Sequence, residues 1–383
     1  MKKRITTIIL ALLALTTLIS QPGCGPEAET VEIYPERWFE LLRVLPANNR
    51  TLKAAYLQDL AYLVEKSQKY PELLGKYPII NNLPLFGSSP KAYSDAEWKA
   101  TLGFVLNDIE KTIYAGTLPL DYYEAAYGRF NRNDIDTAAK TGPMKELLEI
   151  GSYKDKEFYI WGDDMGMNME YQSSVRPLGR GFRLALLDDF VLWVGSTGAM
   201  ETMIDSYLDN TPSLADAEGY KLLAREFAEL DTVTAFFSSE PQSVDHFNKI
   251  HEDQMDQLDP AVKERFLTEI NRDIRLKPYK ALATGAGLDA KGYYLGVILL
   301  NPDEETAAEN KNLLEERLKK AEVVWLARDG SSKEKWSDYV ESMDIKSEGT
   351  LTIARIYGPI VTYWNSLEML GRWGLYEPLL LSD

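Results

Sequence analysis

Phe182-Arg183-Leu184-Ala185-Leu186-Leu187, then Asp188-Asp189, then Phe190-Val191-Leu192-Trp193-Val194: two short runs of β-formers meet at a pair of aspartates. Aspartate tolerates the positive φ angles of a tight turn, and branched and aromatic side chains suit a pleated surface, so this stretch predicts a two-stranded hairpin. Gly195-Ser196-Thr197 stops the second arm and caps a helix running through Tyr207. The pattern returns at 280–320. Lys280 to Leu288 and Gly292 to Leu300 form a second hairpin about Asp289-Ala290-Lys291, and Asn301-Pro302-Asp303-Glu304 opens a helix reaching Lys320. Hairpins joined by helices, with no regular βαβ alternation, predict an α+β fold of antiparallel sheets packed with helices, and the recurrence suggests two related halves.

Outward from these units, helical patterns are expected at Glu36 to Val44, Leu52 to Glu65, and from a Ser94-Asp95-Ala96-Glu97 cap to about Tyr114. Pro71, Pro78, Pro84 and Pro90 punctuate an irregular stretch between them. Asp121 to Phe130 reads as a tyrosine-rich strand running into Asn131 as the cap of a short helix, and Glu157 to Trp161 as a further strand. A helix at Leu214 to Leu230 precedes a buried-looking strand at Thr232 to Phe237. Strands are expected at Glu322 to Ala327, Tyr339 to Lys346 and Thr350 to Tyr357, with a last helix from Pro359 to Leu370. The long polar helical stretch Ser243 to Arg275 divides the body. The expected organisation is therefore residues 1–23 as leader, 24–33 as tether, 34–240 as one α+β domain, 241–280 as helical connector and 281–383 as a second α+β domain.

The leader is read from its charge and length. Lys2, Lys3 and Arg4 form a basic start, Ile5 to Ile19 is apolar apart from threonine, and Gln21-Pro22-Gly23 lead into Cys24. That run is short for a membrane span and fits the apolar region of a signal peptide. Cys24 is the only cysteine in 383 residues. An exported chain gains nothing from a lone reactive thiol, so its position directly after the leader marks it as the point of acylation. In this the first 25 or so residues resemble bacterial lipoproteins. Gly23 matches the residue those leaders carry before the cysteine, while Gln21 and Pro22 depart from it. The chain as a whole also resembles bacterial extracytoplasmic lipoproteins, a likeness that implies an anchor at Cys24 and no particular activity.

Removing residues 1–23 removes three cations and no acid, so the net charge moves from −17 to −17 − 3 = −20. Such a body is repelled by nucleic acid and by anionic headgroups, so the expected membrane contact is the lipid anchor and no nucleic-acid partner is expected. With 45% hydrophobic and 26% charged residues the composition is that of a folded chain. Gly25 to Ile33 lacks periodicity and would reach on the order of 15–20 Å, keeping the body near the bilayer.

Candidate chemistry is sparse. The two histidines, His246 and His251, lie five residues apart, about 140° around a helix, and do not share a face for a metal. Gly195-Ser196-Thr197-Gly198 lacks the lysine and spacing of a phosphate-binding loop, so a capped turn explains it; Gly179-Arg180-Gly181 and Gly285-Ala286-Gly287 carry less signal still. Asp163-Asp164-Met165-Gly166-Met167-Asn168-Met169-Glu170 is the most unusual stretch. Its alternate methionines would point one way if extended, as thioether ligands for copper or, more simply, as packing or a binding surface. The 59 acidic residues do not single out a catalytic pair. The C-terminal segment Ile356 to Leu381 holds Trp364, Trp373 and Tyr376, and Ile360, Val361, Trp364, Leu367 and Leu370 make one helical face for packing. No catalytic residue, cofactor or metal ligand is therefore assigned. The expected role is binding or envelope structure, toward an extracytoplasmic protein or small ligand. A transporter's solute-binding lipoprotein and an exported hydrolase stay open as other readings.

Overall fold

The computed structural model describes residues 37–71, 94–117, 121–240, 243, 260, 264, 274–321, 335–362, 378–380, 382 and 383. The leader, the tether, Cys24, most of the 241–280 connector, the strand expected at Glu322 to Ala327 and most of the last helix lie outside these residues. Among the described residues twelve strands form one sheet, every neighbouring pair antiparallel. They are β1 (Ala55–Asp59), β2 (Ile109–Thr117), β3 (Asp121–Gly128), β4 (Leu148–Tyr153), β5 (Lys156–Trp161), β6 (Phe182–Leu187), β7 (Phe190–Val194), β8 (Thr234–Ser238), β9 (Ala281–Asp289), β10 (Gly292–Leu300), β11 (Ser342–Glu348) and β12 (Leu351–Tyr357). Their spatial order is β11-β12-β10-β9-β8-β1-β2-β3-β7-β6-β5-β4. The α-helices among the described residues are α1 (Phe39–Arg43), α2 (Leu60–Lys69), α3 (Asp95–Leu102), α4 (Arg132–Thr141), α5 (Thr197–Tyr207), α6 (Glu218–Glu229) and α7 (Glu304–Lys320), and short 3-10 turns join several elements. The fold is α+β.

Both expected hairpins form, β6–β7 across Asp188-Asp189 and β9–β10 across Ala290-Lys291. Asp188 carries the positive φ of 49° that the tight turn demands. Two expected helices are corrected. In the segment 52–65, residues 55–59 are strand β1, buried along its whole length between β8 and β2. A strand covered on both faces presents a continuous apolar run, which helical spacing also matches. The helix begins only at Leu60, where the Asp59 carboxylate accepts from Tyr62 N–H at 2.8 Å. The helix expected to reach Tyr114 stops at Gly103, a left-handed C-cap at φ 83°, and β2 follows.

Two hydrophobic layers cover the two faces. On the first lie Trp98 and Leu102 of α3, Ile135 and Ala139 of α4, and Leu314 and Leu318 of α7. On the second lie Leu41 and Leu42 of α1, Met200, Met203 and Ile204 of α5, and Tyr220, Leu223 and Phe227 of α6. Beneath the first layer, aromatic rings run from strand to strand. Phe236 stacks on Tyr56 at 4.7 Å, Tyr56 meets Tyr114 at 6.3 Å, and Tyr114 stacks on Tyr122 at 5.9 Å. Farther along, Trp193 stacks on Phe182 at 3.9 Å and Phe182 on Trp161 at 4.7 Å. Burial, with Glu124 nearby, pushes the Tyr122 hydroxyl up to about 12.

The segments 34–240 and 281–383 meet inside this sheet, because β8 pairs with β9, and residues 35–383 form one compact unit. The recurring unit is also placed differently from the expectation. Hairpin β9–β10 leads to α7 on the first face and the chain returns as β12 beside β10; hairpin β2–β3 leads to α4 on the same face and returns as β7 beside β3. Helix α5, which follows β6–β7, packs on the opposite face.

Candidate functional site

Three sequence motifs with no separate chemistry converge at one end of β5, β6 and β7. Asp164, in the loop after β5, accepts from the backbone N–H of Thr197 at 2.9 Å and from its hydroxyl at 3.0 Å, and pairs with Arg183 of β6. Arg183 also donates through Nε to Thr197 Oγ1 at 3.1 Å. The first turn of α5 thus holds the chain's own carboxylate where a helix start would attract an anion. Ser196 caps the same turn, accepting from Ala199 N–H at 3.3 Å. Gly195-Ser196-Thr197-Gly198 is a self-capped turn.

The loop closes on itself through Gly179-Arg180-Gly181. Gly181 N–H donates to Gly166 O at 2.8 Å, Asn168 N–H to Gly179 O at 3.1 Å, and Met165 N–H to Gly195 O at 3.0 Å. Arg176, 2% exposed, donates to Arg180 O and Gly179 O at 2.8 Å each, and its guanidinium lies 5.8 Å from the Tyr171 ring. Burial lowers its pKa from the ordinary arginine value. Ser174 donates through its N–H and hydroxyl to the Glu97 carboxylate of α3, at 3.0 and 2.6 Å, which fastens the loop to the helix layer. Leu178 and Met165 hold φ angles of 59° and 57°, strained for such side chains and sustained by these bonds.

The clamped loop carries an exposed crest. Met167 is 65% exposed, Met169 59%, and Tyr171 and Leu178 41% each; among the described residues only Val64 and Ile150 are comparably exposed large hydrophobics. The methionines do not form one row, as an extended segment would give. Met165 lies against Gly195, whose hypothetical Cβ would fall 2.7 Å from the sulfur. Among the described residues no three His, Cys, Asp or Glu side chains gather as a metal group would need.

A second feature is a polar recess of about 500 Å³ on the first face, between Arg132 of α4, Ser152 of β4, Lys156 and Glu157 of β5, and Leu186 and Asp188 at the β6–β7 turn. It lies where β5 and β6 part. Their pairing runs from Trp161↔Phe182 to Tyr159↔Leu184 and no farther, and Arg132 donates to Leu186 O at 2.6 Å beyond that point. Its lining includes Asp155 but no imidazole or thiol, so it offers hydrogen bonds and mixed charge to a small polar ligand.

Sequence reading missed one cluster entirely. Tyr62 and Lys66 of α2 both donate to Asp231, before β8, while Arg37 pairs with Asp59 at 2.7 Å and stacks 3.8 Å over the Tyr62 ring. Burial, reinforced by Asp231, holds the Tyr62 hydroxyl far above its ordinary pKa, so the group is a proton-bearing clamp and not a base. Only chain folding across 165 residues between Lys66 and Asp231 reveals it. Cys24, His246, His251, Trp364, Trp373 and Tyr376 lie outside the described residues, and Ile360 and Val361 are buried in the first layer.

Among the described residues no helix is long and apolar enough to cross a membrane. No protein-family model matches the chain, and neither does any curated protein. Crystal form I of TP0453 aligns at a TM-score of 0.37 and 9% identity, over 88% of this chain and 98% of that one. Crystal form III aligns at 0.38 and 9%, over 85% and 98%. Scores of this size carry no argument about fold or role.

Proposed function

We propose that this chain is an extracytoplasmic bacterial lipoprotein, anchored at Cys24, whose body binds a partner without catalysis through the Met167–Leu178 crest. The observation that carries the binding reading is the pairing of exposure with rigidity. Four large apolar side chains stand in solvent on a loop tied down by Asp164, Arg176 and Ser174, although water exposure of that surface is unfavourable. Methionine adapts its shape to apolar partners, which suits such a surface. The anchor reading rests on the leader and on Cys24 as the sole cysteine.

Fractionating cells that express the full chain tests the anchor. Cys24→Ala should move the protein from membrane to a soluble or unprocessed form; unchanged partition rules out lipid anchoring. Met167→Ser with Met169→Ser tests the crest, and should leave the unfolding midpoint within a degree or two of the native value. A large drop would make the crest part of the packing and end the binding reading. The second reading, capture of a small polar solute, is favoured by the recess beside Arg132, and Arg132→Ala with calorimetric screening of polar solutes would decide it.

A further inference from the structure

Among the described residues the sheet has two edges, and they are built differently. Edge strand β11 exposes Asp344, Lys346 and Glu348, with Lys346 and Glu348 paired at 2.8 Å, a charged border of the kind that discourages strand addition. Edge strand β4, Leu148-Glu149-Ile150-Gly151-Ser152-Tyr153, carries one charge, and Ile150 at its centre is 53% exposed.

The direction of the free backbone groups on β4 follows from its hairpin with β5. Tyr153 pairs with Lys156 across the two-residue turn Lys154-Asp155, whose φ angles are 47° and 61°. The pair closing such a turn is hydrogen-bonded, and bonded pairs then alternate. Tyr153, Gly151 and Glu149 therefore bond to β5, while Ile150 and Ser152 turn N–H and C=O outward. Leu148 offers only its carbonyl there, because its N–H is taken by Lys145 O.

We infer that β4 is a self-pairing edge, through which two copies of this chain join antiparallel about a two-fold axis perpendicular to the sheet. That symmetry keeps each face of the sheet on its own side, so a residue can oppose only a residue of the same face. Registers in which the two residue numbers sum to an odd value are excluded. The register centred on Ile150 sets it opposite the partner's Ile150, so that the two exposed side chains cover each other. Glu149 then opposes the partner's Gly151, and like charges are not brought face to face. Leu148 opposes the partner's Ser152, whose N–H reaches the free Leu148 carbonyl. Backbone groups and apolar side chains thus agree on one register, and a second copy supplies both. The neighbouring register, with Ile150 opposite the partner's Ser152, leaves both isoleucines uncovered. The inference does not depend on the crest or on the anchor.

Bonded antiparallel residues hold their Cα atoms about 5.5 Å apart, within reach of a disulfide. The full chain with Ile150→Cys, oxidised in freshly broken cells with copper–phenanthroline, should run mainly as a covalent dimer. Glu149→Cys, on the other face and opposite Gly151, should cross-link at least tenfold less, and the native chain sets the background from Cys24. In sedimentation of the detergent-solubilised full chain, native protein should be dimeric, and Ile150→Lys monomeric with an unchanged circular dichroism spectrum. A monomeric native chain, a dimer that survives Ile150→Lys, or equal cross-linking from Ile150→Cys and Glu149→Cys would each overturn the inference.

Discussion

Gly285 shows how much a single residue decides in this sheet. A Cβ there would lie 2.0 Å from the Thr234 carbonyl oxygen and 2.8 Å from the Phe227 ring, neither of which can give way without moving β8 or α6. Gly285→Ala should therefore cost about 3 kcal/mol or prevent folding, at the upper end of what overpacking a core costs. Denaturant unfolding of the two proteins measures this directly. Asp164 makes a contrasting case. It is half exposed, so its bond to the α5 start and its pairing with Arg183 are partly screened by water. Asp164→Ala should cost about 1–2 kcal/mol, comparable to losing a helix cap. It should also open the 163–181 loop to proteolysis before the rest of the chain; a loop as resistant as in the native protein would show that Asp164 does not hold it.

Elements in this protein are fastened by carboxylates. Asp303 caps α7, accepting from Thr306 N–H at 2.7 Å, and that bond lowers its pKa. Asp216 accepts from Ser213 N–H at 2.7 Å, then from its hydroxyl, with the same result. Asp136 on α4 is lowered first by Lys140 and next by the Tyr159 hydroxyl of β5. Each group has a folded-state pKa below its unfolded one, so its contribution is complete above the ordinary aspartate range and is lost as pH falls through the folded value. The melting temperature should thus hold steady down to about pH 4 and drop progressively below it. Scanning calorimetry between pH 7 and 2 checks this. A melting temperature that rises on acidification would contradict the assigned direction of these shifts.

At the scale of the whole molecule, the continuous sheet makes a prediction of its own. Because β8 and β9 pair in its middle and hydrophobic layers cover both faces, the segments on either side cannot lose structure independently. Thermal unfolding followed by tryptophan fluorescence and by far-ultraviolet circular dichroism should give one coincident transition. Two separated transitions would support a division at 241–280.

Much of this architecture is legible along the chain, because local chemistry decides it. Asp188-Asp189 suits the β6–β7 turn wherever that hairpin lies, and Asn131, Ser196 and Asp303 cap helices through bonds spanning two or three residues. The stretch read as a leader and the placement of Cys24 are likewise local signals, and they shape the proposal of where the protein resides. Elsewhere burial overrides local pattern. Ala55 to Asp59 carries helical spacing and becomes a strand because β2 and β8 enclose it, and the burial that makes it a strand comes from partners about 60 and 180 residues away. The same distance hides the candidate surfaces. Asp164, Gly181 and Thr197 lie in three motifs visible along the chain, and only the return of β6 beside β5 and of β7 beside β6 ties them into one clamped loop. The sequence shows that Ile150 is apolar; that it stands at the open edge of a twelve-stranded sheet is decided by the order in which the strands pair.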